Sequence, residues 1–158
     1  IMIVDVLRND LGKVCVPGSI QVPSLFQIEK HATVFQMVSS VRGRMKPSND
    51  GLDLLQACFP GGSVTGAPKI RAMEIIDELE PTQRSVYCGA IGYIGFDGSM
   101  LTSIPIRILI VKEGKFYLPV GAGIVADSNP SLEYVETLDK ARGALMALGY
   151  SDRNLPFH

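Results

Sequence analysis

The stretch from Ser85 to Val120 reads SVYCGA IGYIGFDGSM LTSIPIRILI VKEGKFYLPV. Three runs rich in β-branched and aromatic residues, about Ser85 to Phe96, Met100 to Lys112 and Lys115 to Val120, are separated only by Asp97-Gly98 and Glu113-Gly114. Gly-containing turns this short tolerate positive φ and join antiparallel neighbours, whereas a parallel crossover needs roughly a dozen residues or more. Alternating βα units are absent, which excludes a doubly wound fold. The stretch predicts an α+β domain dominated by antiparallel sheet.

The flanking sequence fits that class. Pro68 to Glu80 is the clearest helix, with proline in its first turn, Ile70, Met73, Ile76 and Leu79 on one stripe, and Pro81 as its stop. A last helix opens at Asn129-Pro130 and runs to about Leu148. Further upstream, Leu52 to Phe59 reads as a short helix after a loop from Lys46 to Gly51. Ile20 to Ile28 and Thr33 to Arg44 read as two strands paired across Glu29-Lys30-His31. Ile3, Val4 and Leu7 stand at helical spacing within Ile1 to Leu11, with Gly12 as a stop signal. The chain opens on Ile1 inside this periodic run and reads as part of something longer, with a catalytic portion over 1–150 and a tail or linker over 151–158.

At 158 residues, 46% of them hydrophobic, the chain has the size of one ordinary domain with material for a core. Its 15 basic and 16 acidic residues give no electrostatic case for nucleic acid or an anionic membrane. The longest apolar runs, such as Ile104 to Val111, are strand-sized and interrupted by Arg107, so none spans a bilayer. Cys15, Cys58 and Cys88 form neither a metal-ligand pair nor an even disulfide set. That suits small buried thiols in a cytoplasmic protein, and no signal-peptide pattern precedes them.

Three constellations could carry chemistry. In Phe59-Pro60-Gly61-Gly62-Ser63-Val64-Thr65-Gly66-Ala67-Pro68-Lys69, the glycines permit close backbone approach to a ligand, ahead of a helix N-terminus that favours an anion. It superficially resembles a phosphate loop, but Ala67-Pro68 separates Gly66 from Lys69 and no Ser or Thr follows the lysine, so nucleotide binding is not expected. The plainer reading is a connector in which Thr65 caps the following helix. Second, Glu133, Glu136 and Lys140 share one helix face. Two carboxylates one turn apart suit Mg²⁺, and the lysine an anionic substrate group; otherwise the face is solvated, with one Glu–Lys pair. A separate apolar stripe holds Val135, Leu138, Ala141 and Leu145. Third, Arg107 lies among Ile104, Ile106, Ile108 and Leu109, either paired with a substrate carboxylate or turned to solvent by strand alternation. Gly121 and Gly123 either offer amides to the same anion or form a bulge. Together these groups suit a small, multiply carboxylated metabolite.

The run from Phe59 to Pro81 strongly resembles the chorismate-utilising enzymes. So do Tyr87-Cys88-Gly89-Ala90-Ile91-Gly92-Tyr93, Gly121-Ala122-Gly123-Ile124-Val125-Ala126-Asp127-Ser128, Glu133-Tyr134-Val135-Glu136-Thr137 and Ile3 to Gly12, so that the resemblance covers nearly the whole chain. It implies an α+β fold of antiparallel sheets packed together with helices outside, and Mg²⁺-dependent chemistry on chorismate with ammonia or water as nucleophile. By motif, Glu136 would ligate Mg²⁺ directly and Glu133 would hold the metal's water shell. Tyr87 and Arg107 would hold a substrate carboxylate, helped by amides at Gly121 and Gly123. Lys140 would assist at a carboxylate and Ser63 would face the ring substituents.

Gly61-Gly62-Ser63-Val64-Thr65-Gly66 looks more like the aminodeoxychorismate branch than the anthranilate branch, which implies a glutamine amidotransferase subunit or domain supplying ammonia, for folate synthesis. In that branch a lysine in a Pro-Ile-Lys-Gly-Thr motif attacks C2 of the ring; neither that motif nor the Ala-Glu motif of a further metal-site glutamate is in this sequence. An inactive fragment serving as a binding or docking module is the alternative of another class. Two positions depart from the family pattern. Gln36 stands where many members have histidine, and an amide can hydrogen-bond a leaving hydroxyl without releasing a proton to it. Leu101 stands where an aspartate is common.

Overall fold

The structure is a computed structural model that describes residues 1–30 and 35–151. The expected turn at His31, the expected strand start at Thr33 and all but Ser151 of the expected tail lie outside the described residues. The chain divides into two compact units, one comprising Ile1–Gln83 and Ala90–Ser103, the other Arg84–Gly89 and Ile104–His158.

The first unit opens with helix α1, Met2–Val14. The helix runs through Gly12, because one glycine costs a helix only about 1 kcal/mol. It ends where Cys15 leaves for an isolated antiparallel bridge to Met45. Strands β1 (Gln21–Lys30) and β2 (Phe35–Arg42) pair antiparallel from Gln21 opposite Arg42 to Lys30 opposite Phe35. Helix α2, Gly51–Cys58, starts from a reciprocal cap: Leu52 and Asp53 donate their amides to the Asp50 carboxylate at 2.8 and 3.1 Å, and Asp53 accepts the Asp50 amide at 2.9 Å. Helix α3 follows over Lys69–Leu79, and strands β3 (Ile91–Ile94) and β4 (Met100–Ser103) close the unit as an antiparallel pair. Val4, Val14 and Cys15 are buried here, whereas the expected α3 stripe is not: Ile70 and Leu79 are about three-quarters exposed.

In the second unit, β5 (Ile110–Lys112) and β6 (Lys115–Tyr117) form a hairpin. Its turn residues Glu113 and Gly114 both have positive φ, 52° and 71°, as a tight two-residue hairpin requires. Helix α4, Pro130–Ala147, is capped by Asn129, whose side chain accepts the amides of Ser131 and Leu132. Ala141 and Leu145 of α4 pack against Leu118 and Val120, so the C-terminal half of the expected apolar stripe is buried, while Val135 stays exposed.

Every strand pair among the described residues is antiparallel, as the short turns predict. The expected strands are longer than those formed. Residues 85–90 turn instead of extending, with Ser85 and Cys88 at φ of 53° and 64°. Residues 104–109 are irregular: Pro105 has no amide to donate and Arg107 has a φ of 53°. Among the described residues no helix is long and apolar enough to cross a membrane.

Candidate functional site

Most of the expected site residues lie in the second unit. Asn129 caps α4 so that Glu133 falls in its first turn, where the unpaired amides of the helix favour a carboxylate. Ser128, just before that cap, donates its hydroxyl to Glu133 Oε1 at 2.6 Å and accepts the Val125 amide at 3.0 Å. The second carboxylate oxygen, Oε2, is buried without a hydrogen-bond partner. A buried carboxylate oxygen left open is costly unless something else occupies that direction. That direction can take an ordered water or a cation's bound water.

One turn and two turns on, Glu136 and Lys140 form an ion pair of 2.6 Å, half-exposed on the glutamate side. Alone it is worth about 0.3–0.5 kcal/mol. The Lys140 ammonium also donates to the Gly121 carbonyl at 3.3 Å, which ties α4 to the glycine-bearing segment after β6. On that segment's other side stands Tyr87: a methyl group at Gly121 would sit 3.1 Å from its hydroxyl. Tyr87, Gly121, Lys140 and Glu136 therefore form one continuous set. The shared face read for Glu133, Glu136 and Lys140 is present, and Gly121 is a close-approach glycine in an irregular segment. Gly123 lies in the same segment and is exposed.

Arg107 is not on a strand. It sits exposed on a bend. The same bend region holds the turn carrying Tyr87, because the Cys88 amide donates to the Pro105 carbonyl at 3.0 Å.

The two remaining expected residues lie in the first unit. Gln36 is exposed on β2, opposite Glu29, and Ser63 is exposed on a single 3-10 turn over Gly62–Val64. No hydrogen bond or ion pair links them among the described residues. Thr65 does not cap α3: its hydroxyl donates to the Gly61 carbonyl at 3.0 Å, and the N-cap residue is Pro68.

Sequence reasoning missed three residues. Ser128 was legible as a small hydroxyl one residue before a helix cap. Asp10 and Lys69 were not, since only folding brings them together. Asp10 is 1% exposed; it accepts Lys13 at 3.0 Å through one oxygen and Lys69 at 2.5 Å through the other. Beside them, burial first and the Asp10 carboxylate second push the Cys58 thiol above its ordinary range. Among the described residues no group of three or more His, Cys, Asp or Glu side chains is placed to hold a metal, so the α4 glutamates would form only part of a coordination shell.

The family model for chorismate binding enzymes matches residues 1–146. Over 148 residues the chain is 54% identical to aminodeoxychorismate synthase component 1 of Salmonella typhimurium, a match covering 94% of this chain and 33% of that protein. Over 153 residues it is 52% identical to anthranilate synthase component 1 of Synechocystis sp., covering 94% of this chain and 30% of that one. The crystal structure of anthranilate synthase component I from Streptococcus pneumoniae superposes with a TM-score of 0.84 at 45% identity, covering 89% of this chain and 32% of that chain. The chain thus spans about a third of the length of the relatives it matches.

Proposed function

This chain belongs to the chorismate-binding enzyme family, and on that premise we propose that it forms part of an enzyme converting chorismate to 4-amino-4-deoxychorismate for folate synthesis. Overall, the C–O bond at C4 breaks, a C–N bond to ammonia forms, and the hydroxyl leaves as water. A glutamine amidotransferase subunit or domain supplies the ammonia, and the reaction runs in the cytoplasm. In this division residues 1–150 belong to the catalytic domain and 151–158 to a tail or linker.

The observation that carries the reading is the set on and around α4. The partnerless Glu133 Oε2 and the neighbouring Glu136 suit Mg²⁺, with Glu136 binding directly and Glu133 through the water shell. Bound there, the ion would clamp a ring carboxylate and stabilise negative charge that builds on it. Lys140, already turned to the Gly121 carbonyl, offers its charge to a substrate carboxylate. Tyr87 offers a hydroxyl beside Gly121, and Arg107 a guanidinium suited to two-pronged carboxylate binding. Ser63 would face the ring substituents, as the family motif implies. Gln36 can hydrogen-bond the departing hydroxyl but cannot protonate it, so the proton comes from another group.

The 52% identity to an anthranilate synthase favours a second reading, in which the same ring is aminated at C2 and pyruvate is lost. Product analysis separates the two. The complete polypeptide carrying this sequence, given chorismate, ammonium and Mg²⁺, should yield aminodeoxychorismate without releasing pyruvate. Anthranilate with equimolar pyruvate would replace the first reading by the second, and no consumption of chorismate would end both. The 158 residues alone should give no turnover. Glu136→Ala in the complete polypeptide should abolish Mg²⁺-dependent activity with the circular dichroism spectrum unchanged.

A further inference from the structure

We propose that Lys69 is a positioning residue that clasps the two ends of the glycine-rich loop, residues 59–68, and anchors them to the buried carboxylate of Asp10. Lys69 is the first residue of α3, at the exit of the loop. Its ammonium donates to the carbonyl of Cys58, the last residue of α2 at the loop's entry, at 3.2 Å. The same ammonium pairs with Asp10 Oδ2 at 2.5 Å. One cation with three donors thus joins entry, exit and the helix behind them.

The burial figures separate this pair from its neighbour. The Lys69 side chain is 13% exposed, whereas Lys13, on the other Asp10 oxygen, is 53% exposed and remains well solvated. A desolvated pair has a fixed geometry, because loosening it strands a charge away from water. The loop also presses on α1 directly: a methyl group at Gly62 would come within 2.4 Å of Val6 Cγ1. Inside the loop, the Val64 amide and the Thr65 hydroxyl both donate to the Gly61 carbonyl. Ser63 therefore stands on a short turn held internally, packed against α1 and tied at both ends. The clasp fixes where that hydroxyl is presented; the functional half of the inference rests on Ser63 facing substrate.

The test is Lys69→Met in the complete polypeptide, read by amide hydrogen exchange and by steady-state kinetics with chorismate. Exchange at residues 61–66 should quicken at least tenfold, and by clearly more than at the α1 amides over 4–14, which feel only the loss of one of the two lysines on Asp10. The kcat/KM for chorismate should fall roughly 10- to 100-fold, the penalty of a catalytic geometry displaced by about 1 Å. Unchanged loop exchange would overturn the clasp. So would a rise shared equally by α1, which would make Lys69 a general stabiliser. Localised quickening with unaltered kcat/KM would leave the clasp standing and remove Ser63 from the substrate site. If Lys69→Met does not fold, Lys69→Gln, which keeps a donor for the Cys58 carbonyl, is read by the same criteria.

Discussion

Gly62→Ala tests the seating of the glycine-rich loop on α1 without reference to catalysis. The added Cβ would lie 2.4 Å from Val6 Cγ1 and 3.1 Å from Val6 Cβ. Unstrained carbon contacts lie at about 3.5–4.0 Å, so loop or side chain must retreat by roughly 1 Å. Overpacking of this kind costs about 1–3 kcal/mol. Val6→Ala removes two methyl groups from a half-buried position, a loss of about 1 kcal/mol. In the double variant the Cγ1 clash is gone and only the 3.1 Å approach to the retained Cβ of position 6 remains, so its cost should fall well below the sum of the two single variants. Urea unfolding of the four proteins in a double-mutant cycle should therefore give a favourable coupling of about 1–2 kcal/mol. Distant, independent sites add within about 0.5 kcal/mol. Additivity within that margin would refute the contact, and with it the claim that α1 sets the loop's position.

Asp50→Ala removes the acceptor for the Leu52 and Asp53 amides and should lower stability by about 1 kcal/mol, seen as an earlier urea midpoint. Ser128→Ala removes the donor that orients Glu133 and should weaken Mg²⁺ binding about 10- to 100-fold by titration calorimetry; unchanged affinity would take Ser128 out of that role. Burial and the Asp10 carboxylate both raise the Cys58 thiol pKa, so its thiolate fraction at pH 8 falls below that of an ordinary cysteine. Alkylation of Cys58, followed by peptide mass spectrometry across pH, should have a midpoint above the ordinary value. Asp10→Asn should move that midpoint down part of the way, because burial, the larger cause, remains.

The antiparallel α+β class was legible because Glu113-Gly114 and Asp97-Gly98 carry the turn chemistry on their face, and the structure pairs the strands on either side of both. Helices α3 and α4 were legible to within about two residues from prolines and apolar spacing. Sequence alternation overextended the strands around Cys88 and Arg107, where non-glycine residues take positive φ that no local pattern announces. Within the candidate site, the Glu136–Lys140 pair could be read from helical periodicity. The pairing of Asp10 with Lys69 could not, because 59 residues separate them and neither is unusual in its own neighbourhood. Exposure of the α3 stripe likewise depends on what folds against it rather than on its spacing.

Ser85 and Cys88 take up left-handed backbone that glycine would occupy more comfortably, and they flank Tyr87 closely. A glycine at Ser85, which is exposed, would relieve local strain of about 1 kcal/mol or more, whereas at Cys88 it would also empty a buried position. It would also widen the directions in which the tyrosine ring can point. Thermal robustness and aim pull apart at this corner, so a variant library selected for heat resistance alone should drift toward glycine at position 85 and leave the tyrosine less firmly oriented.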